Sequence, residues 1–308
     1  MEQNQLNRYM NVCRANRMSN NTLVTYERSL TFLCSFLAER DKQLTDATAG
    51  DVNDFIVSHP EWSSVTIANR LVALRGFYDW AQEEELLPGK NPMRSIKAPK
   101  LHAKRNKPFV SADEVRLLKE SRRTRRDGVA REGDLRDRCL IALIYDTGLR
   151  VAEAVSLNVG HVLHMDPERR EFIYRGKGGS ECSWFVTQPV YELLRSYLQS
   201  HPDPQPQNPL FLNRYGERLS IRSVQKMLNV RGKQILGKHL HPHMLRRGFG
   251  NAFYEASGHD IYATSQAMHH KSVETTQEYL AVSNDKLKSI MDTSMSKTWA
   301  TASSSQDK

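Results

Sequence analysis

The sequence predicts a mainly α-helical protein of two domains with one small antiparallel β-sheet. Three observations carry this. Apolar residues recur at three- and four-residue steps through most of the chain. One segment, "EFIYRGKGGSECSWFVT", alternates instead about a glycine-rich turn. A basic, proline-containing stretch without periodicity separates two helical halves.

Taken in order, "SNNTLVTYERSLTFLCSFLAER" reads as a helix capped by Ser19 or Asn20, with Leu23, Tyr26, Leu30, Leu33 and Leu37 on one face. "TAGDVNDFIVSH" is a shorter helix with Val52, Phe55 and Ile56 inward. "SSVTIANRLVALRGFYDWAQEEELL" is a third, capped at Ser63 or Ser64, with Ile67, Leu71, Leu74, Tyr78 and Ala81 inward. Pro88, Gly89 and Pro92 stop it, so residues 1–94 form a helical bundle. Residues 95–110 hold Pro99 and Pro108 and read as a linker.

Helical signals return at "SADEVRLLKES", where Ser111 and Glu114 stand in capping-box spacing. "DLRDRCLIALIYDTGLRVAEAVSL" is an apolar helix, a turn at Gly148 and a second helix from Arg150. After the hairpin, "VYELLRSYL" and "SIRSVQKMLNVRGKQIL" are helical, with a proline-rich loop between them. Residues 111–293 form the second domain, and 294–308 are a polar tail expected to be disordered.

With 308 residues, 39% of them hydrophobic and 26% charged, the chain has enough material for two ordinary cores. Cys13, Cys34, Cys139 and Cys182 stand too far apart for a disulfide framework or a zinc site, which favours a reducing, cytoplasmic setting. The first residues carry no apolar run of the signal-peptide kind, and no stretch is long and apolar enough to span a bilayer. A formal charge of +9 favours a polyanionic partner. Between Ser95 and Arg126 eleven basic residues face three acidic ones, so most of the excess lies in one short stretch. Flexible cations there suit a phosphate backbone, although alone such a run is as often a solvated tether.

The segment "HPHMLRRGFGNAFYEASGHDIYATSQAMHHKSVETTQEYL" concentrates five histidines, two adjacent arginines and three tyrosines in forty residues. A core rarely needs so many titratable side chains, and a solvated face would carry lysine and glutamate. Taken singly, the candidates have plain structural readings. Arg150 could pair with Glu153 or Asp146, Lys177 could be an exposed turn residue, His243 and His270 could sit at helix ends, and Tyr279 could be an amphipathic core residue. Their order decides otherwise. Arg150, Lys177, the H-x-x-R of His243 and Arg246, His270, and Tyr279 nine positions further on resemble the tyrosine recombinase (phage integrase) family. Similarity covers nearly the whole chain, and its size and two-domain layout look most like the compact Xer-type and transposon- or integron-borne members.

The resemblance implies an N-terminal core-binding, SAM-like bundle, an α+β catalytic domain, and a site-specific recombinase that cleaves and rejoins double-stranded DNA through a 3′-phosphotyrosyl intermediate. Tyr279 is the implied nucleophile, since only it has the "T-T-x-x-Y" approach; Tyr254 and Tyr262 fall where the family places buried or helix-packing residues. Arg150 and Arg246 match the charge that develops on two non-bridging oxygens. Lys177 is the expected acid for the leaving 5′-oxygen, His243 the second acid–base group, His270 a donor to a non-bridging oxygen, and Glu153 an orienting carboxylate. Lys97, Lys100, Lys104, Arg105 and Lys107, with Arg75, are expected DNA contacts. Arginines take the place of a metal, and the stored phosphoester bond removes the need for ATP.

Two departures stand out. Arg247 occupies a position where a second histidine is common, and the usual L-G-H reads Met268-His269-His270, placing a histidine where glycine has more conformational freedom. Spacing to Tyr279 favours His270 as the phosphate donor. A helix through Leu287, Ile290 and Met291 is expected to dock on a neighbouring subunit, giving a tetramer on inverted-repeat sites in the nucleoid. Two competing expectations are a catalytically impaired DNA-binding accessory protein of the same fold and a type IB topoisomerase-like relaxing activity.

Overall fold

The structure, a computed structural model, describes residues 2–100, 107–121, 133–175 and 181–269. The chain divides into two compact units, Met1–Ala103 and Lys104–Lys308.

In the first unit four α-helices are described: α1 (Glu2–Ala15), α2 (Asn20–Ala38), α3 (Ala49–Val57) and α4 (Ser64–Glu83). Of the two possible caps at each site, Ser19 accepts from the Thr22 amide at 3.1 Å and Ser63 from the Thr66 amide at 3.2 Å. The core is built from the expected faces: Leu30, Leu33 and Leu37 of α2, Val52 and Phe55 of α3, and Leu71, Leu74, Tyr78 and Ala81 of α4 are all buried. Leu23, Tyr26, Ile56 and Ile67 pack around its margin. The Tyr78 hydroxyl donates to the Leu44 carbonyl at 2.8 Å, so the ring fills the core without stranding its polar end.

α1 is an addition to the sequence reading, which took the first residues only as polar. Its apolar face is thin, yet Leu6, Tyr9, Met10 and Cys13 follow helical spacing and are all buried. Asparagine, glutamine and arginine between them dilute the signal.

The second unit contains α5 (Ala112–Glu120), α6 (Asp134–Thr147), α7 (Val151–Ser156), α8 (Val159–Leu163), β1 (Glu171–Arg175), β2 (Glu181–Phe185), α9 (Gln188–Gln199), α10 (Ile221–Leu236), α11 (Pro242–Ala256) and α12 (Ile261–Ala267). The expected capping box is present: Ser111 accepts from the Glu114 amide at 3.3 Å, and Glu114 accepts from the Ser111 amide at 2.9 Å. α6 is the centre. Cys139 to Ile144 are buried without a break, which is the pattern of a helix surrounded on all sides. β1 and β2 pair antiparallel with Phe172 opposite Trp184 and Ile173 opposite Ser183. Phe172 and Trp184 face the core while Ile173 and Phe185 face outward, the two-residue alternation of a half-covered sheet.

One buried ion pair closes the unit. Arg231 of α10 is fully buried; it donates to Asp134 at 2.7 Å and to the carbonyls of Leu118 at 2.9 Å and Ser121 at 2.7 Å. It thereby ties the end of α5 and the start of α6 to α10. Removing one partner of such a pair strands a charge in a low-dielectric interior. Asp134→Ala is therefore expected to lower the unfolding free energy by about 3–5 kcal/mol in urea denaturation. A loss under about 1 kcal/mol, the range of exposed pairs, would contradict this.

Candidate active site

The site is built where α6 ends. Gly148 adopts φ +68°, a left-handed conformation open to glycine, and turns the chain sharply towards Arg150. A side chain there would also strike Phe249, since an added Cβ falls 2.4 Å from its ring. Arg150 then caps α7. Its amide donates to one oxygen of Glu153 at 2.7 Å and its guanidinium to the other at 3.0 Å. A single carboxylate thus fixes both the backbone and the side chain of Arg150, leaving the guanidinium partly open to solvent. Asp146, the other possible partner, accepts instead from the Thr187 amide at 2.6 Å and its hydroxyl at 3.0 Å. Burial pushes the Asp146 carboxyl up.

Arg246 comes from α11 and is 1% exposed. One arm of its guanidinium donates to the Gly148 carbonyl, the other to the Met268 carbonyl at 2.7 Å. It therefore links the turn before Arg150 to the end of α12. α11 packs closely on its neighbours at two glycines, and the first of them meets backbone. A Cβ at Gly248 would lie 2.2 Å from the Val110 carbonyl oxygen, and one at Gly250 would lie 2.7 Å from the Met268 sulfur. Glycine in a helix interior costs about 0.5–1 kcal/mol relative to alanine. Close approach of α11 to its neighbours is what that cost permits.

His243 stands one helical turn before Arg246. Loss of water contact, then the charges of Arg247, Arg246 and Arg150, hold its imidazole below the ordinary value of 6.5. It is consequently neutral at pH 7 and able to accept a proton. Arg247 donates to the Pro108 carbonyl at 3.3 Å, so the residue standing where a second histidine is common holds the segment leading into α5.

His269 has φ +48°, strained for any residue with a Cβ. Its Nε2 donates to the Ser183 carbonyl at 3.1 Å, and its ring lies 4.1 Å from that of Trp184. Loss of solvent, with Arg246 and Arg150, pushes its pKa below 6.5 against the opposing pull of Ser183 and Glu153. His269 is thus a neighbour of the Arg150–Glu153–Arg246 group. The sequence flagged its backbone conformation and set it second to His270 as the histidine facing the phosphate; an imidazole between an aromatic strand and the site has no motif of its own.

Arg150, Glu153, His243 and Arg246 are thus brought together. Lys177, His270 and Tyr279 lie outside the described residues, as do Lys104, Arg105 and the helix through Leu287, Ile290 and Met291. Lys97 and Lys100 are exposed and Lys107 is half-buried. Arg75 is partly committed to structure, donating to the Ile96 carbonyl at 3.2 Å. Tyr254 packs edge-on against His259 at 5.1 Å. Tyr262 departs from the expectation of a helix-packing residue: it is 69% exposed at the first turn of α12, where Asp260 takes its amide. Among the described residues no helix is long and apolar enough to cross a membrane.

Residues 109–286 match the model of the phage integrase family, and residues 6–85 match that of the phage integrase N-terminal SAM-like domain. The chain is 31% identical to the tyrosine recombinase XerC of Shigella flexneri serotype 5b over 92% of its own length and 93% of the relative's. It is 33% identical to XerC of Actinobacillus pleuropneumoniae serotype 7, covering 89% and 87%. Among solved structures it resembles XerH recombinase bound to a palindromic difH substrate, with TM-score 0.71, 20% identity and coverage of 94% and 85%. A lambda integrase dimer bound to a COC′ core site matches with TM-score 0.69, 15% identity and coverage of 90% and 76%.

Histidines at and beside the site, with His241 at the start of α11, make stability depend on pH. His241, His243 and His269 are all held below 6.5, chiefly by loss of water. The unfolded chain therefore binds more protons than the folded one as pH falls, and stability is present above about 6.5 and lost below it. The melting temperature is expected to drop as pH falls from 7 through this window, and to drop less in a variant with all three replaced by glutamine. Equal pH slopes in the two proteins would contradict the assignment.

Proposed function

Because this chain belongs to the phage integrase family and is a tyrosine-type site-specific DNA recombinase, we propose that Tyr279 is its nucleophile and that the Arg150–Arg246 pair holds the phosphate it attacks. The observation that carries this reading is the convergence of Arg150, Glu153, His243 and Arg246, drawn from two segments nearly a hundred residues apart, around the Gly148 turn.

In the proposed first step the Tyr279 oxygen attacks phosphorus and its proton passes to His243, which is neutral at the working pH. The bond from phosphorus to the 5′-oxygen breaks, and Lys177 supplies the proton that oxygen needs to leave. A 3′-phosphotyrosyl ester and a free 5′-hydroxyl result. A 5′-hydroxyl from the partner strand then attacks the ester, the proton transfers run in reverse, and Tyr279 is restored. The phosphoester conserves the energy of the broken bond, so the cycle is balanced without ATP or a metal.

Arg150, steered by Glu153, donates to the non-bridging oxygens, where its planar fork fits better than an ammonium. Arg246 brings the second guanidinium, and His270 donates a further hydrogen bond. Lys97, Lys100, Lys104, Arg105 and Lys107 neutralise backbone phosphates on either side. The substrate is double-stranded DNA with inverted-repeat sites in the nucleoid, on which four copies assemble through the helix containing Leu287.

A nicked duplex that loses its 5′-fragment on cleavage tests this directly. The wild-type chain is expected to accumulate a covalent protein–DNA adduct, Tyr279→Phe none, and Arg150→Ala about 10²–10³-fold less per unit time. Truncation before Leu287 should keep binding to a single half-site while abolishing cooperative filling of a full site. Tight binding without adduct in the wild type would overturn the reading in favour of an accessory role. Plasmid relaxation without exchange between two sites would mark a topoisomerase.

A further inference from the structure

We propose that His269 is a positioning residue that pins strand β2 to the end of α12 and thereby sets the group that protonates the leaving 5′-oxygen. The proposal rests on the recombinase reading above and goes beyond it, because no step there involves His269.

Four observations converge on this side chain. Its acceptor at Ser183 is a carbonyl, which fixes the proton on Nε2 and gives the 3.1 Å bond one direction. Its ring is also held against Trp184, the next residue of the same strand, at 4.1 Å with 52° between the planes. Ser183 and Trp184 are paired in the ladder with Ile173 and Phe172, so gripping them grips the whole two-stranded sheet. The preceding carbonyl, that of Met268, is the one Arg246 holds at 2.7 Å. Adjacent residues therefore bind the sheet on one side and the guanidinium on the other.

The backbone supplies the argument that this is more than packing. At φ +48° a histidine is strained where glycine would be relaxed. Strain of this kind persists where the surroundings over-determine it, and here the side chain's contacts to Ser183 and Trp184 do so. A two-stranded sheet is marginal by itself and takes its position from what packs on it. The hairpin is also the element whose turn carries Lys177 in the sequence. A shift of about 1 Å of an acid relative to its oxygen is enough to impair proton transfer.

Single-turnover cleavage of two nicked duplexes, one ordinary and one with sulfur in place of the bridging 5′-oxygen, separates this role from a general structural one. When phosphorus is attacked, the phosphorus–sulfur bond breaks and a thiolate leaves without needing a proton. His269→Gly, which relieves the φ strain and should fold, is expected to slow the oxygen substrate roughly tenfold or more yet cleave the sulfur substrate within about threefold of wild type. His269→Gln keeps an N–H donor at the same reach and should recover much of the oxygen rate. Equal slowing of both substrates, or no slowing of either, overturns the proposal. Lys177→Ala serves as the control. If sulfur rescues His269→Gly but not Lys177→Ala, the role of His269 stands and the assignment of Lys177 as the acid falls.

Discussion

The site depends on one buried cation. Arg246 is enclosed by protein, and its two arms hold the main-chain carbonyls of Gly148 and Met268. A guanidinium placed in a low-dielectric interior is costly unless hydrogen bonds replace its water, and two peptide carbonyls do so for its two arms. The same arrangement explains why α11 needs Gly248. A methyl group added there meets the Val110 carbonyl and would push the helix, and with it the guanidinium, away from its own carbonyls.

The two arginines are held in opposite ways, and the difference suits a phosphate that must be bound, cleaved and resealed. Arg150 is partly solvated and paired with Glu153, so it can trade one anion for another. Arg246 is buried and tied to two main-chain carbonyls, so it stands as a fixed guanidinium beside the partly solvated one. Loss of water, and after it the nearby arginines, opposes protonation of the histidines beside them. The group thus holds fixed cations and proton acceptors side by side, which is what a nucleophile with an ordinary pKa of about 10 requires near neutral pH.

Much of this was legible in the chain itself. Helical periodicity placed α2, α4, α5 and α6, and the glycine-centred alternation placed the β1–β2 pair, because each rests on local patterns that burial then satisfies. The H-x-x-R spacing placed His243 one turn before Arg246. Other features were not legible. Among its described side chains α1 buries four between polar neighbours, too weak a stripe to announce itself. Tyr262 sits on an amphipathic helix yet points to solvent, because a seven-residue helix has too few turns to settle which face is covered. The carbonyl partners of Arg246 are main-chain atoms 98 and 22 residues away, and no side-chain pattern encodes a backbone acceptor. His269 read as an awkward substitute for glycine, and its contact with β2 emerges only once strand and helix end are brought together.

The central claim is that the fork shape of Arg246, and not its charge alone, assembles the site. Arg246→Lys keeps the charge but offers one compact ammonium that cannot span both carbonyls. The rate of covalent adduct formation on a nicked site is the direct measurement. It is expected to fall by about 10²-fold or more in Arg246→Lys, with stability lowered by about 1–3 kcal/mol for the unsatisfied carbonyl. Adduct formation within a few-fold of wild type would show that the bridge does not organise the site.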